Sequence, residues 1–207
     1  MALISPIGTL ATRGKYLFVA SISREDKGKP DKHPTYYGRV LFTKEALASK
    51  EWIGQGGVMS QVLEAGREKF GKNFDAMWKE GGVRSPLRRD IATKGYDPEA
   101  FAGFIQVKAY EDNPPARLSR VAGPDGKPKV ITDPAEFRPG TLVRVSLRVR
   151  SYGEVGGKFS PGISLDLAAI QKIGDGAPIV GGGGDPTEGL DALPEEVEAD
   201  LAAMLKL

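Results

Sequence analysis

The residues best equipped for chemistry in this chain are cations and flat rings that recur together. Arg144, Arg148, Arg150 and Tyr152 lie in the run TLVRVSLRVRSY at residues 141–152, where they alternate with Val143, Val145, Leu147 and Val149. A period of two marks a half-buried strand, because successive side chains leave opposite faces of the pleat. With the valines and leucine against a core, the other face presents three guanidinium groups and a phenol. Positions two apart on that face are separated by roughly 6–7 Å, close to the phosphate spacing of an extended nucleic-acid strand. A guanidinium supplies charge or stacks as a plane. Stacking of a base on a ring contributes roughly 1–3 kcal/mol and tolerates any sequence. The same pairing recurs on two other segments, Tyr37 with Arg39, and Phe104 and Tyr110 with Lys108. Residues 84–94 add Arg84, Arg88, Arg89 and Lys94 against the single acid Asp90. A solvated outer face also carries arginines, but rings interleaved with cations on three strands favour a groove for a single nucleic-acid strand.

Other chemistries find no footing. The chain has no Cys and one His, His33, between prolines in a polar loop. That excludes a thiolate nucleophile, a cysteine zinc site and a credible Ser-His-Asp set. Glu111, Asp112, Asp90 and Asp166 form no pattern that marks a metal or acid–base site; Asp166 is expected to be a structural hydrogen-bond partner. Residues 66–73, GREKFGKN, approach a phosphate-loop motif but end in Asn73 instead of a hydroxyl residue. They also fall inside a helical pattern, where the N–H groups are already used. No recognition-helix or zinc-finger pattern points to duplex DNA. The expectation is a binding protein with no catalytic residues, no metal, no cofactor and no enzyme activity.

Charge is unevenly spread. Of 29 bases and 27 acids, residues 181–207 hold seven acids and one base, which leaves 28 bases and 20 acids in residues 1–180. A basic body suits a polyanion, and an acidic tail can compete for the same surface or recruit a basic partner. At 207 residues the chain has the length of one domain with room for an appendage. It can bury roughly 70% of its unfolded surface without a metal or disulfide. No apolar run reaches the roughly 18 residues of a membrane span, and the first residues lack signal-peptide order. A soluble, cytoplasmic protein is expected, in the host cell's cytoplasm if the chain is phage-encoded.

The elements that must position these side chains are mostly strands. Residues 14–23 and 35–42 read as strands, with Gly38 marking a bulge or the close approach of another backbone. Thr43 reads as the N-cap of a short helix through Lys50. A longer helical pattern begins near Val58, with Gly71 as a break and Gly81–Gly82 as its end; its aromatics read as core. Residues 101–110 alternate again, residues 111–120 read as a Pro-containing loop, and GPDGK at 123–127 is a turn. After the basic strand, residues 151–162 form a Gly-rich connection holding Lys158 and Phe159. The last strand, 162–173, turns Ile163, Leu165 and Leu167 inward. GGGGD at 181–185 opens a flexible linker. Leu193, Val197, Leu201 and Met204/Leu205 then give the tail an apolar stripe. The fold expected is mainly β: an OB-fold-like five-stranded barrel over residues 1–180, with a helical insertion and a flexible acidic C-terminal tail over 181–207. A sandwich is the alternative.

Several stretches together resemble the phage and prophage single-stranded DNA-binding proteins long catalogued only as a domain of unknown function. The resemblance covers most of residues 12–185. It rests on VRSPLRRD at 83–90, YDPEAFAGFIQVKAY at 96–110, GKPKVITDPAEFRPGTLVRVSLRVRSY at 126–152 and, most specifically, LAAIQKIGDGAPIVGG at 167–182. It implies an OB-fold and sequence-tolerant binding of single-stranded DNA in phage replication or recombination. It also implies that Arg84, Arg88 and Arg89 are groove residues and supports Phe104, Lys108 and Tyr110. One departure concerns the tail, which ends Met204-Leu205-Lys206-Leu207, whereas acidic tails of other phage single-strand binders often end in an aromatic residue.

The partners expected are single-stranded DNA and, through the acidic tail, replication or recombination proteins; a homo-oligomer is compatible with the sequence. The competing readings are a structural, assembly or replisome-interaction protein that works through the amphipathic tail, and a metal-dependent nuclease.

Overall fold

The computed structural model describes residues 3–21, 33–88 and 105–179. Nine strands organise them: β1 Leu3–Ile4, β2 Gly8–Leu10, β3 Tyr36–Phe42, β4 Leu87–Arg88, β5 Ile105–Glu111, β6 Ala116–Ala122, β7 Pro128–Val130, β8 Leu142–Tyr152 and β9 Gly162–Gly174. Four helices, α1 Lys44–Leu47, α2 Lys50–Ile53, α3 Val58–Phe70 and α4 Phe74–Lys79, lie between β3 and β4.

The longest pairing is the β8–β9 ribbon, antiparallel from Leu142↔Gly174 to Tyr152↔Gly162. It forms because both strands carry an apolar alternation. Val143, Val145 and Leu147 are buried from β8, and Ile163, Leu165 and Leu167 from β9. The inward alternation on β9 then changes phase. Ser146 faces Ala169 but Leu147 faces Leu167, so Ala168 is an extra residue, and Ile170 rather than Ala169 turns inward. A bulge of this kind re-aims every side chain beyond it.

The pairings run β2–β3, β3–β5, β5–β9 and β9–β8, and return from β8 to β2. Only β5–β9 among them is parallel. The returning contact is short, Gly8↔Val143 and Thr9↔Leu142 continued by Leu10 N–H to Thr141 O and Gly140 N–H to Leu10 O, so the five strands make a partly open barrel of the expected OB kind. Because β9 takes one whole edge of β8, β1 shares the other edge with β2. β5 and β6 follow one another along the free edge of β9, which carries the β6–β7 hairpin beyond the barrel.

The helices cap one end. Thr43 Oγ1 accepts the Ala46 N–H at 3.2 Å, the expected cap. The helix it opens stops at Leu47, and Ser49 begins a second, α2. Trp52, Val58, Val62 and Phe74 join the barrel core, with the Trp52 ring centroid 5.3 Å from that of Phe42. Gly71 breaks the helix at a positive φ of 70°. Gly66, the first glycine of the phosphate-loop look-alike, lies within α3, and any Cβ there would collide with the Phe74 ring. That motif is a packing device.

Three expectations are corrected. Residues 14–17 form a 3-10 turn, not the start of a strand: the Tyr16 N–H bonds to Arg13 O, and the Phe18 and Val19 N–H groups to Lys15 O. Gly14 packs closely on the backbone carbonyls of Pro134 and Phe137, where any Cβ would collide with both. Part of the presumed loop 111–120 is β6, whose residues are largely exposed and so carry no apolar alternation. Gly38 makes no bulge; its close neighbour is the Leu167 side chain, 3.3 Å from where a Cβ would stand.

Candidate nucleic-acid interface

On β8 the alternation of the sequence is realised in space. Arg144, Arg148, Arg150 and Tyr152 are exposed, while Val143, Val145 and Leu147 are buried. Eight residues separate Arg144 from Tyr152, about 26 Å of strand.

Register extends this face across the barrel. Tyr37 pairs with Tyr110, Tyr110 with Asp166, and Asp166 with Arg148, so one row crosses β3, β5, β9 and β8. Arg39 pairs with Lys108 on the same side, and Arg150 with Ser164. Cross-strand partners share a face; the fold therefore brings Tyr37, Arg39, Lys108, Tyr110, Arg148 and Arg150 onto one side of four adjacent strands. Lys108, Tyr110 and Arg88 are placed by backbone register alone. Arg144 lies toward the helical end, opposite Gln171. Arg84 lies toward the other end: its N–H donates to Pro161 O and its carbonyl accepts from Ile163 N–H, beside the Tyr152↔Gly162 pair. Arg89, Lys94 and Phe104 fall outside the described residues.

Two of the three β8 arginines hold carboxylates. Arg148 Nη2 donates to Glu111 Oε2 at 2.6 Å, and the side chains are 55% and 8% exposed. Arg150 donates from Nε at 3.1 Å and from Nη2 at 2.8 Å to Asp166 Oδ2. Hydrogen bonding to Asp166, against a smaller effect of burial, raises the Arg150 pKa above its ordinary value. Asp166 is thus the structural partner expected. Among the described residues Arg144 makes no ion pair within 4.0 Å; it contributes only a minor attraction to the exposed Glu51, whose pKa is lowered first by backbone hydrogen bonding. His33 Nε2 lies 3.1 Å from Asp112 Oδ1 at the exposed end of this face.

The rings differ in availability. Tyr37 is only 4% exposed, and its ring stacks on Tyr16 with centroids 4.7 Å apart. Tyr16 is half-buried, and Lys15 Nζ stands 5.3 Å from its centroid. Tyr152 is more open, and Gly162 is what lets it lie down: a Cβ at that position would meet the ring's Cζ and Oη. In the connection between β8 and β9, Phe159 is 67% exposed with Lys158 Nζ 5.7 Å from its centroid. Tyr16, Lys15, Lys158 and Phe159 are additions to the residues singled out from sequence. An adjacent cation–aromatic dipeptide was the available signal for both pairs. On OB-folds the connections between the first two and the last two barrel strands serve oligonucleotides along with the sheet face. Those connections carry these two pairs.

Among the described residues no group of three or more His, Asp or Glu could hold a metal ion, and no helix is long and apolar enough to cross a membrane. No curated protein matches the sequence. Among solved structures, the chain is similar to the single-stranded DNA-binding protein of bacteriophage Enc34 in complex with ssDNA, with a TM-score of 0.59 at 15% identity over 84% of this chain and 87% of that one. It is also similar to gp2.5, a single-stranded DNA-binding protein encoded by bacteriophage T7, with a TM-score of 0.50 at 10% identity over 85% and 93%. At these identities the likeness is one of fold. The sequence itself matches the family model described as the Enterobacter phage Enc34 ssDNA-binding protein over residues 18–202, and the chain belongs to that family.

Proposed function

We propose that this chain binds single-stranded DNA without base-sequence preference in phage DNA replication or recombination, as a stoichiometric binder and not an enzyme, in the cytoplasm of the host. The strand would run across the outer face of β3, β5, β9 and β8, between the Lys15–Tyr16 and Lys158–Phe159 pairs. The observation that carries this reading is family membership over residues 18–202 combined with a register that gathers cations and rings from β3, β5 and β8 onto one face, with β9 running between β5 and β8. Arg84, Arg144 and Tyr152 extend that face at its two ends. Residues 1–180 form the binding domain in this reading. Residues 181–207, with seven acids and one base, form a tail that recruits replication or recombination proteins.

The test is a salt series of fluorescence-anisotropy titrations with a labelled single strand, its duplex and an RNA of the same sequence. Tight, salt-sensitive binding to the DNA single strand and much weaker binding to the duplex is the expected result. Equal and weak binding to all three would sink the reading.

A further inference from the structure

We infer that Glu111 and Asp166 determine what the β8 face recognises: by holding Arg148 and Arg150 they withdraw two cations from phosphate binding and leave two guanidinium planes for bases, which favours an unpaired strand over a duplex. This inference rests on the single-strand reading above.

A carboxylate that is only 8% exposed must keep its partner, because a buried charge left unpaired is costly. Arg148 is the one cation that Glu111 pairs with among the described residues, its other contact being the Asp112 N–H on Oε1 at 3.1 Å, so Arg148 cannot turn to a phosphate without leaving this carboxylate short of a counter-charge. Asp166, 15% exposed, is in a similar position and takes two donors from Arg150, fixing the plane of that guanidinium. Each arginine is left close to neutral as a pair, yet 55% and 56% of their side-chain surfaces remain exposed. What they offer is a flat, oriented surface on which a base can stack. A duplex hides its base faces inside the stack and presents phosphates first, so a face whose central cations are already engaged grips it poorly. Its phosphates also meet two carboxylates. Arg144, with no such partner among the described residues, keeps its charge for the backbone. The three arginines of one strand thus divide into one phosphate contact and two stacking plates.

Asp166→Asn and Glu111→Gln keep the shape of each acceptor and remove its charge. In the full-length protein each should steepen the dependence of log affinity on log salt by roughly 0.7 for a single strand and roughly 0.9 for a duplex, the increment of one added phosphate contact. Duplex affinity should rise more than single-strand affinity, so the preference ratio falls. Unchanged slopes and an unchanged ratio in both variants would overturn the inference, as would weaker binding with the slope unmoved, the mark of a purely structural role. Arg150→Gln, read in the same series, supplies an independent check if either carboxylate variant melts early. It should weaken single-strand binding with the slope unchanged, and a slope lower by about 0.7 would overturn the inference. Wild-type protein that ignores single strands altogether would instead remove the binding reading itself.

Discussion

The helical cap and the outer face of β8 use the same large rings to opposite ends. In the cap, rings keep company with rings: the Phe74 centroid lies 5.6 Å from that of Trp78 and 6.2 Å from that of Phe70, and Phe74 is fully buried. Along the barrel exterior, rings keep company with cations and glycine: Phe159 with Lys158, Tyr152 over Gly162, and Tyr16 with Lys15 on top of its stack with the buried Tyr37. Aromatic content alone does not distinguish core from interface. The neighbours do, because a ring enclosed by apolar groups stabilises the fold, whereas a ring held against a backbone with one side open has a face left for a ligand.

The comparison breaks if the two sets respond alike to truncation. Phe74→Ala should cost roughly 3–5 kcal/mol of stability, since it empties a site enclosed by α3 and Trp78. Denaturant titration would read it, and whatever protein remains folded should bind a single strand as before. Tyr152→Ala should do the reverse: a loss of about 1–3 kcal/mol in single-strand binding and a stability change within about 0.5 kcal/mol. Gly162→Ala sharpens this further. The added Cβ lifts the Tyr152 ring from its bed without removing it, so binding should fall by less than in Tyr152→Ala. Were Gly162→Ala to destabilise the protein and leave binding intact, Tyr152 would be a packing residue like Phe74.

How much of this was legible in sequence follows from how each feature is encoded. The β8 face was readable because arginines alternate with valines, and the α3 stripe because Val58 and Val62 repeat at helical spacing. β1 and β2 are two and three residues long, too short for any period to register. β6 escaped because it lies beyond the barrel with little apolar surface to bury. The run 14–23 alternates as a strand does, yet the local hydrogen bonds to Arg13 and Lys15 close its first residues, 14–17, into a turn. The carboxylate partners were the least accessible. Glu111 stands 37 residues from Arg148, and Asp166 pairs by register with Arg148 but bonds Arg150, a diagonal choice that only side-chain geometry makes. Sequence therefore showed which residues carry charge, and the fold decided which of those charges are spoken for.

A third cation, on the same barrel but away from the row, tests that last distinction at its smallest scale. Lys172 is only 18% exposed and donates to Glu136 Oε2 at 2.7 Å, with Asp175 Oδ1 at 3.2 Å. Hydrogen bonding to Glu136, then to Asp175, outweighs burial and raises its pKa above 10.5. A raised folded-state pKa means the folded protein holds its proton more tightly than the unfolded chain does. The resulting stability is fully present below about pH 10.5 and is lost as pH rises through the folded-state value. The effect should be under about 1 kcal/mol, because both carboxylates are half exposed. Denaturant melts at pH 9 and at pH 11 would show it as a loss in the wild type that is smaller in Lys172→Met. Single-strand affinity at neutral pH should not change in that variant. An equal alkaline loss in both proteins would mean the pair contributes nothing to stability, and weakened DNA binding would place Lys172 with Arg144 among the cations that serve the ligand.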